Sequence, residues 1–374
     1  MMIKKIFLLI FCFFLLLQVF SQVYTNKVVG EKNEALKDSI EKQQYPYVLP
    51  IWGAKATAKG FQLPYSAGVS LNYFQQESSL VIDNLYIGFN NGPMYDLDEI
   101  IRFDDAIARA GVLTIRPDVW LLPFLNVYGI LGKAKTSTEI SAGVWIPDTA
   151  NVWREVTSFS TKANFEAVSA GFGITPTMGV AGGWIALDMN VVWTDVSALD
   201  KPVFTFVFGP RVGKTFKFKK PDMNIAAWVG GFRVKFSSET SGSLNLNEVL
   251  PVDELQPKVD EGLAKVGQAQ VNVDTWWEGL TPVEQKNPVN IAKHETANRT
   301  ITAASDLLTS VDGALNDGES ATVQYSLEKS LKNKWNFIVG SQYQLNKHFM
   351  IRGEYGFLGS RQQFMVGLQY RFGL

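Results

Sequence analysis

Close to its C-terminus the chain reads Arg361-Gln362-Gln363-Phe364-Met365-Val366-Gly367-Leu368-Gln369-Tyr370-Arg371-Phe372. Phe364, Val366, Leu368, Tyr370 and Phe372 take every second position, and Gln363, Met365, Gly367, Gln369 and Arg371 fill the gaps. Neighbouring side chains of a strand point to opposite faces, so this period of two separates an apolar face from a largely polar one. The run is longer than the usual strand of a soluble sheet, about 5–6 residues, and suits a tilted bilayer crossing of about 9–11.

The same alternation recurs upstream. Phe349, Ile351, Tyr355 and Phe357 oppose His348, Arg352 and Glu354; Trp335, Phe337, Val339, Tyr343 and Leu345 oppose Asn336, Gln342 and Gln344. Ile185, Leu187, Met189, Val191 and Trp193 oppose Asp188, Asn190 and Thr194, and Trp228, Phe232, Val234 and Phe236 read against Arg233 and Lys235. A secreted sandwich would alternate too. Strand length, rings near strand ends and export favour a closed barrel, the one way for strands to satisfy every backbone group in lipid. The fold expected is all-β: a transmembrane antiparallel β-barrel with an inserted α-helical subdomain.

Composition agrees. Of 374 residues, 46% are hydrophobic, 13% aromatic and only 19% charged, against about 25% charged in soluble proteins. Such a chain is not disordered, and a net charge of −1 excludes a general nucleic-acid binder. Two histidines and one cysteine leave little for a metal site; neither metal nor cofactor is expected. The first five residues are short and basic, residues 6–20 are almost unbroken apolar sequence, and Val19-Phe20-Ser21 precedes Gln22. That is the pattern of a secretory signal peptide cleaved between Ser21 and Gln22. Cleavage would discard Cys12.

The ending Gln369-Tyr370-Arg371-Phe372-Gly373-Leu374 resembles the C-terminal assembly signal of bacterial outer-membrane β-barrel proteins, with alternating aromatics closing on a near-terminal Phe. Here Gly373 and Leu374 follow that Phe, as in barrels of Bacteroidota, and Phe20-Ser21-Gln22 is similar to signal endings of that lineage. The resemblance implies an outer-membrane location, lipid contact and insertion by the barrel assembly machinery, with Phe364, Val366, Leu368, Tyr370 and Phe372 as the signal. It names no solute. Asp38-Ser39-Ile40 and Asp148-Thr149-Ala150 resemble Bacteroidota O-glycosylation sites at Ser39 and Thr149.

Strands are expected at 68–75, 105–120, 124–141, 161–175, 179–194, 203–218, 224–236, 335–345, 348–357 and 361–372, with tight turns at Leu122-Pro123, Pro176-Thr177, Lys219–Pro221 and Asn346-Lys347. Ten strands put every short turn on the periplasmic side and every long loop outside. Residues 80–90 and 322–327 would raise the count to twelve and send the long insert to the periplasm. The expected organisation is a signal at 1–21, a periplasmic extension at 22–66, barrel at 67–238, a helical insert at 239–334 and the last strands at 335–374. In the insert, Val249, Val252, Leu255, Val259, Leu263 and Val266 recur at helical spacing. Thr281-Pro282-Val283-Glu284 reads as a helix start, and Ile291, Ile301, Ala304, Leu307, Leu308, Val311 and Leu315 form another stripe.

Two motifs lead nowhere. Gly209 to Thr215 is one residue short of a phosphate loop and lies in an alternating strand; His294-Glu295-Thr296-Ala297-Asn298 has Asn where a zinc helix needs its second His. His348 with a nearby Ser would be the start of a barrel hydrolase, but its place near a periplasmic turn argues against enzyme function. The inward face is richer: Arg116, Arg211, Arg233, Lys235, Arg352 and Arg371 against Asp118, Asp188 and Glu354. Charge within a membrane must pair or meet water. The set is read either as a hydrated path biased toward small anions, arginine gripping carboxylate or phosphate, or as ion pairs filling a narrow lumen. The leading expectation is a porin-like passive channel for small polar or anionic solutes. The alternative is a non-conducting barrel that binds a protein partner through its insert.

Overall fold

The computed structural model describes residues 26–27, 38, 45–180, 182–197, 199, 201–220, 222–236, 239–249, 252–317 and 320–374. The signal segment with Ser21 and Gln22, the glycosylation candidate Ser39 and most of 30–44 lie outside the described residues. In chain order the strands are β1 (Asn26–Lys27), β2 (Phe61–Gln62), β3 (Ala67–Phe89), β4 (Tyr95–Asp96), β5 (Ile101–Leu122), β6 (Leu125–Pro147), β7 (Trp153–Val180) and β8 (Gly183–Val196). Then come β9 (Val203–Lys217), β10 (Asn224–Phe236), β11 (Glu239–Asn245), β12 (Thr322–Leu331), β13 (Trp335–Gln344), β14 (Phe349–Leu358) and β15 (Arg361–Phe372). The helices are α1 (Gly53–Thr57), α2 (Leu246–Val249), α3 (Val252–Glu278), α4 (Pro282–Gln285) and α5 (Pro288–Asn316).

Ten strands pair antiparallel in the order β3, β15, β14, β13, β10, β9, β8, β7, β6, β5, and β5 pairs back onto β3 from Ala67↔Val119 to Ser79↔Ile107. The sheet is closed, and its parity follows the alternation of the sequence. On β15, Phe364, Val366, Leu368, Tyr370 and Phe372 are 36% to 57% exposed on the outside, while Arg361, Gln363 and Arg371 are buried inside. Outer rings gather at two levels. Phe349, Tyr370 and Phe372 are in contact below, with Phe218 on Tyr343; Phe172, Trp193 and Phe204 meet above, with Phe208 on Trp335 and Phe337 on Phe357. The ten steps from Trp335 to Leu345 cover about 33 Å of strand, or about 25 Å of height at a tilt of about 40°. That is the height of a lipid-facing band.

Both termini of the barrel, Ala67 and Phe372, lie at the end with the short turns β5–β6, β7–β8, β9–β10 and β13–β14. The opposite end holds the two-residue β14–β15 turn, the β6–β7 and β8–β9 connections and the long insert; the longest connections of such barrels lie on the extracellular side, which places the insert outside. The expected turn at Pro176-Thr177 is not one. Both residues continue β7, Pro176 opposite Leu125, and the chain reverses between Val180 and Gly183, where Gly182 takes φ +77°.

The rim is lopsided. β3, β5, β6 and β7 run for 22 to 28 residues, whereas the other six barrel strands have 10 to 15. Residues 80–89 and β12, the two segments that left the count open, pair with each other from Leu80↔Leu331 to Phe89↔Val323, and β11 pairs beyond β12. They build upward from the barrel instead of widening it, so the count stays at ten. The inner face of this tall wall turns apolar above the lumen: Ile101, Ala142, Val144, Ile146 and Val156 are buried there with Leu85 and Val323.

Against it lies an antiparallel helical hairpin. Gln256 bonds Asp312, Gly262 adjoins Leu308, and Gln270 bonds Asn298, which buries Leu255, Val259, Val266, Ala297, Ile301, Ala304 and Leu307 in one core with the wall. The Thr281 hydroxyl accepts from Glu284 N–H and Glu284 accepts from Thr281 N–H, the reciprocal cap read from the sequence. The Thr281 hydroxyl, which also donates to the carboxylate at 2.7 Å, and then the Thr281 N–H hold the exposed Glu284 carboxyl below its ordinary range. Val259→Asp, placing an unpaired carboxylate where the side chain is 2% exposed, is expected to undock the hairpin. Limited proteolysis should then cut within 250–320 while the heat-modifiable gel shift of the folded barrel persists.

Candidate functional site

The lumen concentrates the charge. Closest to the periplasm, Asp118 accepts from Arg371 at 3.0 Å, Asn126 at 2.8 Å and Gln369 at 2.8 Å. Above it Asp188 accepts from Tyr128 at 2.6 Å and Thr175 at 2.7 Å, with Arg211 at 3.3 Å and Arg116 at 4.0 Å; the Arg116 guanidinium lies 3.4 Å over the Tyr128 ring. Arg211 then reaches up to Glu354 with two donors, Nε at 2.9 Å and Nη2 at 3.2 Å. Glu354 also accepts from Trp228 Nε1 at 2.9 Å and Arg352 at 3.3 Å. A carboxylate that accepts several donors while facing two arginines is the geometry that makes a buried charge tolerable. These ion pairs run continuously from Asp188 to Arg352, with the Asp118–Arg371 pair beneath them. About 280 Å³ of space remains among them.

Seven of the nine inward candidates are thus brought together: Arg116, Asp118, Asp188, Arg211, Arg352, Glu354 and Arg371 all line this cavity. Arg233 and Lys235 are not among them. On β10 the even positions face inward, Trp228 against Trp184 and Phe232 against Phe74, so Arg233 and Lys235 point out and are exposed. Arg233 lies 5.8 Å from the Trp335 ring at the upper edge of the band. Aromatic residues on a barrel strand were read as lipid-facing; Trp228 goes inward because its indole N–H has Glu354 to bind and Gly340 opposite leaves room for the ring. Tyr128, Trp184 and Arg361 are lumen residues that alternation alone did not single out.

The periplasmic mouth is crossed by residues 45–66. Val48 N–H donates to the Leu374 carbonyl and Ile51 N–H to that of Leu121 on β5, and Lys217 of β9 bonds Gln62. β5 and β9 stand four places apart in the ring of ten, so the segment with α1 spans the opening. Burial, with Tyr47 beside it, pushes the Tyr45 phenol up to about 12. His348 is fixed at the same end, its ring against Tyr65 and Tyr370 and its Nδ1 2.8 Å from the Arg371 carbonyl. Elsewhere, Gly209 to Thr215 lies within β9, and His294 stacks on Trp277 at 4.1 Å. Thr149 occupies the outer β6–β7 turn. There burial raises the Asp148 carboxyl, but Val152 N–H, Arg154 and Ala150 N–H outweigh it and leave it below its usual range.

No protein-family model and no curated protein matches the chain. Solved structures that it resembles include the beta domain of a Bordetella autotransporter (9% identity, 82% of this chain and 100% of that one, TM-score 0.28). The translocator domain of the autotransporter NalP from Neisseria meningitidis gives 8%, 82%, 89% and 0.30 in the same order. A Pseudomonas aeruginosa FadL homologue gives 7%, 82%, 90% and 0.26. At this similarity they bear on no residue of the chain. The closed sheet, its apolar outer band and its polar interior make the protein an outer-membrane β-barrel.

Removing one partner of the ladder leaves buried charge. Glu354→Gln is expected to destabilise the barrel by about 3–5 kcal/mol, read from urea unfolding followed by tryptophan fluorescence. Arg233→Gln, on the outside, should stay within about 0.5 kcal/mol of the parent.

Proposed function

We propose that this is a sealed outer-membrane barrel whose function resides in the helix-and-sheet module it holds above the outer leaflet, where it binds a protein partner. The observation that carries this reading is the ladder. Asp118–Arg371, Asp188 with Arg116 and Arg211, and Glu354 with Arg211 and Arg352 reach across the lumen, and residues 45–66 cross its lower mouth. Barrels of about eight strands are filled by side chains, and ten is little wider. The tall wall supports the reading from the other side, since four strands extended beyond the lipid form a rigid platform for the hairpin. In this reading lipid surrounds the outer band, the β15 outer face is the signal read by the assembly machinery, and neither catalysis nor a cofactor is required.

A second reading, porin-like passage of small polar or anionic solutes, is favoured by one feature. The lumen holds Arg116, Arg211, Arg352, Arg361 and Arg371 against Asp118, Asp188 and Glu354, an excess of cations. Planar-bilayer recording separates the two. The full-length protein is expected to give no single-channel steps, and neither is a variant in which a short Gly-Ser linker replaces residues 246–316. Anion-selective steps from the parent protein would sink the sealed-barrel reading in favour of the channel.

A further inference from the structure

Each carboxylate of the lumen is matched to arginine, but the arginines outnumber them, and the excess collects in one place. Arg361 opens β15 at the upper end of the lumen and is 1% exposed. Among the described residues it faces no carboxylate: Nε and Nη2 both donate to the Gln76 amide oxygen, at 3.3 and 2.7 Å, and the guanidinium lies 5.1 Å over the Phe232 ring. Its Nη1 has no partner.

Ser78 stands directly opposite Arg361 on β3. It is also 1% exposed, and its hydroxyl has no partner either. Both residues point inward, and side chains paired across antiparallel strands sit about 5 Å apart. Buried polar atoms are almost always satisfied, and a buried charge without a counter-charge is more costly still. Two open donors on residues paired across the strands, one of them cationic, form the complement of a small anion. With both residues 1% exposed, their surroundings exclude anything larger than a small ion.

We propose that Ser78 and Arg361 bind one small inorganic anion of halide size, which supplies the counter-charge the sequence omits. The site is independent of whether the barrel conducts. In a sealed barrel the ion is structural, and in a channel it would be a station near the outer mouth.

The test uses the full chain in detergent, with sodium bromide exchanged for sodium gluconate at constant ionic strength. The thermal transition of the parent protein should rise with bromide and saturate. Arg361→Gln should weaken the apparent bromide affinity at least tenfold and be no less stable than the parent in gluconate, because it removes an unpaired charge. A parent transition indifferent to bromide, or an Arg361→Gln variant with unchanged dependence, overturns the proposal. Crystals of the unaltered protein soaked in bromide give a readout that needs no variant: an anomalous peak between Ser78 and Arg361 is expected, and bromide peaks elsewhere with none there would also overturn it.

Discussion

The pairing of β5 with β3 is the constraint from which the rest follows. A strand in lipid has no water to satisfy its N–H and C=O groups, so the sheet must close on itself, and the register from Ala67↔Val119 to Ser79↔Ile107 closes it. Closure gives each strand one side in hydrocarbon and one in the interior, and the period-two pattern is the sequence's answer. With ten strands the interior is narrow, and about 280 Å³ of space remains among its charged groups. Its polar side chains must therefore satisfy one another, and the Arg211–Glu354 and Arg371–Asp118 pairs are the result.

Where the lipid ends, the constraint relaxes, and the chain changes behaviour at one residue. At Ser79 β3 stops pairing with β5 and passes instead to β12. The wall above needs no closure because it can bury its inner face conventionally. Val144, Ile146 and Val156 exchange the lumen's polar company for Val259, Val266 and Leu308. The same strands thus serve two solvents, with a salt-bridged interior below and an oily core above.

The sequence made the barrel legible because lipid enforces the alternation along β8, β13, β14 and β15. It made the helices legible because their stripes face an ordinary core, and the Thr281–Glu284 cap is a local signal. β10 was misread because the lumen too accepts a ring that has a hydrogen-bond partner, and periodicity gives two faces without saying which is which. Pro176 looked like a turn, yet it sits opposite Leu125 at the lower end of β7, where a missing N–H is tolerated. That Arg361 faces no counter-charge among the described residues was invisible, since such a lack is a property of three dimensions.

The uneven rim gives the molecule a direction within the plane of the membrane. A plain barrel looks much the same from every lateral approach. Here β3, β5, β6 and β7 raise a high back, and β8 to β10 with β13 to β15 leave a low front. A neighbour drifting in the outer leaflet meets a tall polar parapet on one side and a bare lipid-level shore on the other. Strand surface above the lipid is offered to a lateral neighbour only along the high back; along the low front the strands end at the level of the lipid.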